Sequence, residues 1–154
     1  MIDQSHVKII SVYFHLLVCN QDLAMDLSNK AFNLFLNSTN KNPKENPEIL
    51  IVEICHRLSK DLNLSKCIED NFKFNKQWLN SQKIELSNWI EFAKTTNPEI
   101  VMTTLWCLVL EVGYDLVAKA MNLSEGTVRF RLGLATRKLG YIVSKNSVRQ
   151  MSLL

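Results

Sequence analysis

Glycine and proline are scarce in this chain of 154 residues, with four and three copies. Because these residues form many tight turns, their scarcity argues against many short strands and for long helices. An apolar run from Val101 to Val112 contains Glu111, and it is much shorter than the ~20 residues that a transmembrane helix needs. We therefore predict an all-α fold in which this run is a buried helix.

The sequence also lacks the patterns that most enzymes and metal sites carry. Its four cysteines are scattered and form no Cys-x-x-Cys pair, and we find no glycine-rich phosphate loop and no catalytic triad. His15 with Cys19, or Cys55 with His56, could be imagined as metal ligands, but such cysteines are more often small buried hydrophobes. The chain is therefore predicted to be no enzyme and to use no metal and no cofactor.

The first residues do not have the composition of a secretory signal. The segment MIDQSHVKIISVYFHLLVCNQD has an apolar middle but no basic start and no small-residue cleavage site. Asp3 is also unsuited to a signal peptide. We therefore expect a soluble, cytoplasmic protein with reduced thiols and no membrane partner.

Apolar residues at helical spacing predict a series of helices along the chain. Pro47 and Pro98 are placed to open two of them, and Asn97 suits the capping position before Pro98. Residues 63–75 are less regular, and residues 144–154 are expected to be frayed or weakly helical. The predicted helices cover about 5–20, 22–36, 48–62, 76–94 and 98–111, followed by a pair of helices in 114–139.

Residues 114–139, YDLVAKAMNLSEGTVRFRLGLATRKL, are the most informative stretch. Asn122 lies where the chain must turn sharply, and asparagine tolerates the left-handed conformation that a tight turn often needs. Ser124 is a good N-cap, and Glu125 suits the positive end of the helix dipole. The stretch therefore predicts two helices joined by a short turn, the pattern of a helix-turn-helix that places its second helix in a DNA major groove.

The second helix of this pair has an apolar stripe and a polar side. The stripe recurs at steps of four, three and four, as expected for a helix packed along one face. Its members are Val128, Leu132, Ala135 and Leu139. This spacing places Arg129, Phe130, Gly133 and Arg137 on the flanks or the opposite face.

Charge is distributed unevenly along the chain. Residues 119–154 contain seven basic residues and the single acid Glu125, a total of +6, whereas the remaining residues contain 11 basic and 14 acidic ones, a total of −3. A basic end on a mildly acidic body is typical of a protein that contacts nucleic acid.

The segment SEGTVRFRLGLATRKL resembles the recognition helix of region four in bacterial sigma factors, especially those of the extracytoplasmic-function type. The match extends from Ala118 and Leu123 before the segment to Leu139 at its end. A weaker similarity to the second conserved region of sigma factors covers residues 22–35, DLAMDLSNKAFNLF. Residues 49–62 fall where that family has the helix that grips and melts promoter DNA.

The resemblance implies a sigma-like transcription initiation factor, or a regulator descended from one, with no enzymatic activity. It implies double-stranded promoter DNA and core RNA polymerase as partners, with an anti-sigma protein as a further one. The DNA-contacting residues would be Ser124, Glu125, Thr127, Arg129, Phe130, Arg131, Arg137 and Lys138. The polymerase-contacting residues would be Asp26, Leu27, Asn29 and Lys30. The implied domains are an N-terminal helical domain (1–63), a linker containing a helix (64–97) and a C-terminal helix-turn-helix domain (98–154).

Two alternatives to a sigma-like factor remain open at the level of the sequence. The chain could be a dimeric helix-turn-helix regulator that pairs through its N-terminal helices and does not engage polymerase. It could also be a protein-interaction module whose basic helix binds an acidic partner, with Phe130 and Leu134 as exposed apolar contacts. The chain departs from the family after the melting helix, where it has Asp61, Glu69 and Asp70 instead of a basic, aromatic stretch.

Overall fold

A computed structural model describes residues 3–74 and 85–153, and all regular structure in these two ranges is helical. The predicted all-α fold is confirmed for them, and none of their helices is both long and apolar enough to cross a membrane. The α-helices are α1 (Gln4–Val18), α2 (Gln21–Lys41), α3 (Pro47–Ser59), α4 (Leu64–Cys67), α5 (Leu86–Thr95), α6 (Pro98–Thr104), α7 (Tyr114–Ala120) and α8 (Glu125–Ser152).

Pro47 and Pro98 each open a helix, as predicted. Pro47 occupies the first turn of α3, and the side chain of Asn46 accepts hydrogen bonds from the backbone N–H groups of Glu48 and Ile49. Pro98 opens α6 in the same way, with the side chain of Asn97 as the cap. A proline costs nothing in the first turn because its missing N–H would have no partner inside the helix.

Two helices are longer than the sequence pattern predicts. Helix α2 continues through the polar residues 37–41, where Thr39 Oγ1 bonds the carbonyl of Phe35 at 3.0 Å. Residues from 144 were expected to be frayed or weakly helical; helix α8 continues to Ser152, which contradicts the frayed alternative. Ile142 is buried, and Asn146 Nδ2 donates to Asn88 Oδ1 of α5 at 2.6 Å. These contacts hold α8 against the body as far as Asn146, and apolar spacing alone does not reveal them.

The predicted helix at 76–94 is described from Leu86 onward. The earlier part of that prediction, including Trp78 and Leu79, lies outside the described residues.

The predicted helix at 98–111 is not a single α-helix. Helix α6 ends at Thr104 and continues as a π-helical turn, Leu105–Val109, in which the N–H of Leu110 bonds the carbonyl of Leu105 at 2.8 Å. Every residue from 101 to 107 is buried. A helix buried on all sides has no amphipathic period, and so the sequence does not reveal the widened turn.

Buried contacts join the first helices to the later ones. The ring of Tyr13 in α1 stacks on Trp106 in the π-helical turn, with 4.2 Å between ring centroids. Trp89 of α5 donates from Nε1 to the carbonyl of Leu16 in α1 at 2.7 Å. The division into 1–63, 64–97 and 98–154 stays a prediction, and these contacts cross its boundaries.

Candidate nucleic-acid interface

The connection between α7 and α8 is fixed by backbone hydrogen bonds. Asn122 has φ 55°, the left-handed conformation predicted for it. The N–H of Leu123 bonds the carbonyl of Ala118 at 2.8 Å, and the N–H of Asn122 bonds the carbonyl of Lys119 at 3.3 Å. This pair of bonds is a Schellman motif, which satisfies the last carbonyls of a helix. Leu123 packs against the core, so the angle between α7 and α8 is set locally.

The first turn of α8 is capped by its own hydroxyl groups. Ser124 Oγ accepts from the N–H of Thr127 at 3.1 Å and lies 2.9 Å from Thr127 Oγ1. The N-cap predicted at Ser124 is therefore confirmed. Glu125 lies in the first turn and is exposed, where a carboxylate favours the positive end of the helix dipole.

The apolar stripe of α8 faces the body of the protein. Val128, Leu132 and Ala135 are buried, and Leu139 is half-buried against the core. The side away from this stripe is open to solvent. We call it the open face of α8 and define it by Gly126, Arg129, Phe130, Gly133 and Arg137, all of them exposed.

Side chains on the open face are arranged by their neighbours. The guanidinium of Arg129 lies 3.9 Å from the Glu125 carboxylate and 5.5 Å above the ring centre of Tyr114 in α7. Phe130 is 64% exposed, and no side chain lies within 4 Å of a Cβ placed at Gly133. The sequence alone does not indicate a role for Tyr114, because its contact with Arg129 depends on the angle between α7 and α8.

Arg131 does not lie on the open face, although the sequence interpretation made it a DNA contact. Its Nη1 lies 3.2 Å from Glu99 Oε2 and 3.4 Å from Thr103 Oγ1, and its side chain is 18% exposed. The other oxygen of Glu99 lies 3.3 Å from His56 Nε2. Arg131 therefore joins α8 to α6 and, through Glu99, to α3. We reassign it from DNA contact to structural support.

Two lysines of α8 are also turned towards the body. Lys138 donates from its amino group to the carbonyl of Thr95. Lys145 pairs with Glu91 of α5. The hydrogen bond from Lys145, helped by another from Asn146, holds the pKa of the Glu91 carboxyl below its usual range. The surface of α8 therefore offers fewer positive charges than the number of basic residues in this helix suggests.

The predicted polymerase contacts lie on α2, and one of them is not accessible. Asp26 and Lys30 are exposed and form an ion pair of 3.1 Å, and Asn29 is exposed beside them. Leu27 is 6% exposed and belongs to the core. The prediction that Leu27 is a surface contact is therefore wrong, because its side chain points into the protein.

Replacing Arg131 by alanine is expected to lower the free energy of unfolding by about 1–3 kcal/mol, since the partly buried Glu99 carboxylate would lose a charged donor. Urea denaturation followed by circular dichroism measures this. Arg129→Ala is the control, because its ion pair is exposed and a change within about 0.5 kcal/mol is expected. Equal stability of Arg131→Ala and wild type would contradict a structural role for Arg131.

Comparison of the chain with models of known protein families, with curated proteins and with solved structures found no match in any of the three. Among residues 3–74 and 85–153, no three His, Cys, Asp or Glu side chains are grouped so that they could hold a metal ion.

Proposed function

We propose that this chain is a sigma-factor-like transcription initiation factor or regulator. In this proposal α7 and α8 form a helix-turn-helix that binds promoter DNA, and the N-terminal helices bind core RNA polymerase. The observation that carries it is the open face of α8, where Arg129, Phe130 and Arg137 project from a helix whose start is rigidly capped.

The open face has chemistry that suits a major groove. An α-helix fits the groove, and its N-terminal residues usually contact the base edges. Arg129, one turn into α8, would donate two hydrogen bonds to a guanine, and Phe130 would contact a thymine methyl group. Glu125 would accept from a cytosine amino group while its pairing with Arg129 orients both side chains. Ser124 and Thr127 lie at the same end of the helix.

The remaining basic groups would contact the phosphate backbone. Arg137 lies about two turns beyond Arg129 on the same open face and is exposed. Lys119 is exposed on α7, whereas the amino group of Lys138 is engaged by the carbonyl of Thr95 and is not counted among these contacts. Such contacts fix the orientation of a protein on DNA without reading its sequence.

The polymerase contact in this proposal involves α2. Asp26, Asn29 and Lys30 form an exposed polar group, and Met25 beside them is 51% exposed. A mixture of polar groups with one exposed apolar side chain suits a protein contact surface.

The proposal is tested with the purified protein. Duplexes selected from a random library give its preferred sequence, and fluorescence anisotropy at fixed salt gives the affinity. A pull-down with core RNA polymerase tests the second part. Sequence-specific binding together with polymerase binding supports the proposal. Specific DNA binding without polymerase would favour a stand-alone regulator, and loss of both would favour a protein-interaction module.

We further predict that the chain binds duplex promoter DNA but melts it poorly without another factor. The segment from Glu48 to Asp70 has three basic and five acidic residues and contains no Phe, Tyr or Trp. A negative surface repels a displaced strand, and bases flipped from a duplex need aromatic rings on which to stack. Most apolar residues of α3 are buried, so they are not available as substitutes.

Permanganate footprinting of a bound promoter in the presence of core polymerase measures this opening. We expect few reactive thymines compared with a complete sigma factor on its own promoter, which serves as the positive control. An opened bubble formed without any other factor would contradict this prediction.

A further inference from the structure

Arg129 has few side-chain neighbours on its own helix. A side chain on an α-helix contacts those three and four positions away in each direction. For Arg129 two of these four positions are Gly126 and Gly133, and a third is the buried Leu132. No side chain lies within 4 Å of a Cβ placed at Gly133. Of the four positions, only that of Glu125 offers a side chain at the surface.

The second neighbour of Arg129 comes from α7. The guanidinium carbon lies over the ring of Tyr114, 5.5 Å from the ring centre, and a cation within about 6 Å of that centre is attracted to the ring face. Tyr114 is the first residue of α7 and is 39% exposed, so its ring is partly covered by the protein. Arg129 therefore has one partner on each helix of the pair.

The position of the Tyr114 ring relative to α8 is supported by the core. Val117 and Ala118 of α7 are buried, as is Val128 of α8, and the Schellman motif after α7 closes the connection between the two helices. The backbones that carry Tyr114 and Arg129 are therefore packed together, although both side chains reach the surface. A contact group on a packed helix is placed more accurately than one on a loop.

We propose that Tyr114 is a positioning residue for DNA recognition, which keeps Arg129 ordered at the start of α8 without contacting the bases itself. This role rests on the proposed function, in which Arg129 binds a guanine. A long side chain that becomes immobilised on binding loses rotamer freedom, which weakens the affinity. An Arg129 side chain that already lies against Tyr114 and Glu125 loses less of that freedom when it enters the groove.

Neither partner of Arg129 occupies its hydrogen-bond donors. Attraction to the face of the Tyr114 ring is electrostatic and uses no N–H group. The Glu125 carboxylate oxygen lies 3.9 Å from Arg129 Nη2, which is longer than a hydrogen bond. The fork of N–H donors that would bind a guanine at two points therefore stays available while the side chain is held.

Substitutions at Tyr114 separate the ring from the hydroxyl. Tyr114→Leu keeps an apolar side chain but removes the ring, and it should weaken binding of the selected duplex about two- to five-fold, the range of an exposed cation–ring contact. Tyr114→Phe keeps the ring and should bind as wild type does. Fluorescence anisotropy at fixed salt measures both. If Tyr114→Phe loses as much affinity as Tyr114→Leu, the hydroxyl contacts the DNA directly and the proposal is overturned.

A double-mutant cycle tests whether Tyr114 acts through Arg129. In an Arg129→Ala background, Tyr114→Leu should cause no further loss of affinity. In the wild-type background it should also reduce the preference for the guanine that Arg129 binds, while the preferences at the other base pairs stay the same. A merely structural role in α7 would weaken binding equally in both backgrounds and at every sequence, and that result would overturn the proposal.

Tyr141→Leu is the matched control. Tyr141 is also an exposed tyrosine beside a cation, with the Lys145 amino group 5.9 Å from its ring centre, but it lies about 18 Å along α8 from Arg129 at 1.5 Å per residue. This variant should bind as wild type does, and a loss equal to that of Tyr114→Leu would overturn the proposal.

The same titrations distinguish the role of Tyr114 from the function on which it rests. If the wild-type protein binds no duplex specifically, the proposed function is overturned, and the role of Tyr114 in DNA recognition with it. If the wild type binds specifically and Tyr114→Leu binds equally well, only the role of Tyr114 is overturned.

Discussion

Replacing Trp106 by alanine should lower the free energy of unfolding by about 3–5 kcal/mol, the range for removal of a large buried aromatic side chain. Trp106 is fully buried, and its ring is nearly parallel to that of Tyr13, with an interplanar angle of 16°. The alanine variant would leave a cavity between α1 and the π-helical turn. Urea denaturation monitored by far-ultraviolet circular dichroism measures the loss.

Tyr13 connects the site of the Trp106 substitution to α3. Its hydroxyl donates to Ser59 Oγ at 3.2 Å, and Ser59 Oγ donates to the carbonyl of Cys55 at 2.6 Å. Burial raises the pKa of Tyr13 well above its usual range, so the hydroxyl stays neutral. Loss of the Trp106 ring would therefore loosen a contact that joins the π-helical turn to α1 and, through Tyr13, to α3.

Trp106→Phe is the matched control for the alanine variant. It keeps an aromatic ring against Tyr13 and removes less volume, so its cost should be under about 2 kcal/mol. A cost near zero for Trp106→Ala would show that the early and late helices do not share a core. A similar large cost for both variants would show that the shape of the indole, rather than the stacked ring, is what the core requires.

The sequence predicted the features of the α7–α8 connection that depend on near neighbours. The left-handed Asn122 and the Ser124 cap each involve residues at most five positions apart, so local preferences decide them. The buried stripe of α8 was also predictable, because a helix packed on one face repeats its apolar residues at a fixed period.

The features that the sequence did not reveal depend on distant partners. Arg131 lies 32 residues from Glu99, and the helical period alone places its side chain on a flank that could face either solvent or protein. Leu27 is different, because the apolar spacing of its helix indicates its burial and only the resemblance made it a polymerase contact. The end of α8 from residue 144 has no apolar period on the buried side strong enough to predict a helix.

The largest expected effect on function is the loss of DNA affinity in Arg129→Ala combined with Arg137→Ala. Removing a bidentate arginine contact to a guanine costs about 1–3 kcal/mol and relaxes specificity at that base. In the proposed complex Arg129 would make such a contact, because it is exposed near the start of α8, beside Glu125 and the Tyr114 ring. Arg137 is exposed, and its removal should weaken binding to all sequences alike.

The contributions of Arg129 and Arg137 to DNA affinity can be distinguished by how the affinity depends on salt concentration. Arg137→Ala should make the slope of log affinity against log salt shallower by about one, since one phosphate contact releases roughly one counterion. Arg129→Ala should change the preference among related duplexes more than the slope. The double variant is expected to lose about 2–4 kcal/mol, measured by anisotropy with the selected duplex at fixed salt.

Arg149→Ala is the control that distinguishes a groove contact from general attraction. Arg149 is a basic, exposed residue of the same helix, about 30 Å beyond Arg129 at 1.5 Å per residue. A helix that enters the groove by its first turns would carry Arg149 away from the bases, so this variant should bind almost as wild type does. If Arg149→Ala weakens binding as much as Arg129→Ala, the attraction is only electrostatic. If neither Arg129→Ala nor Arg137→Ala changes affinity, the open face of α8 does not contact DNA, because no other exposed arginine projects from that face.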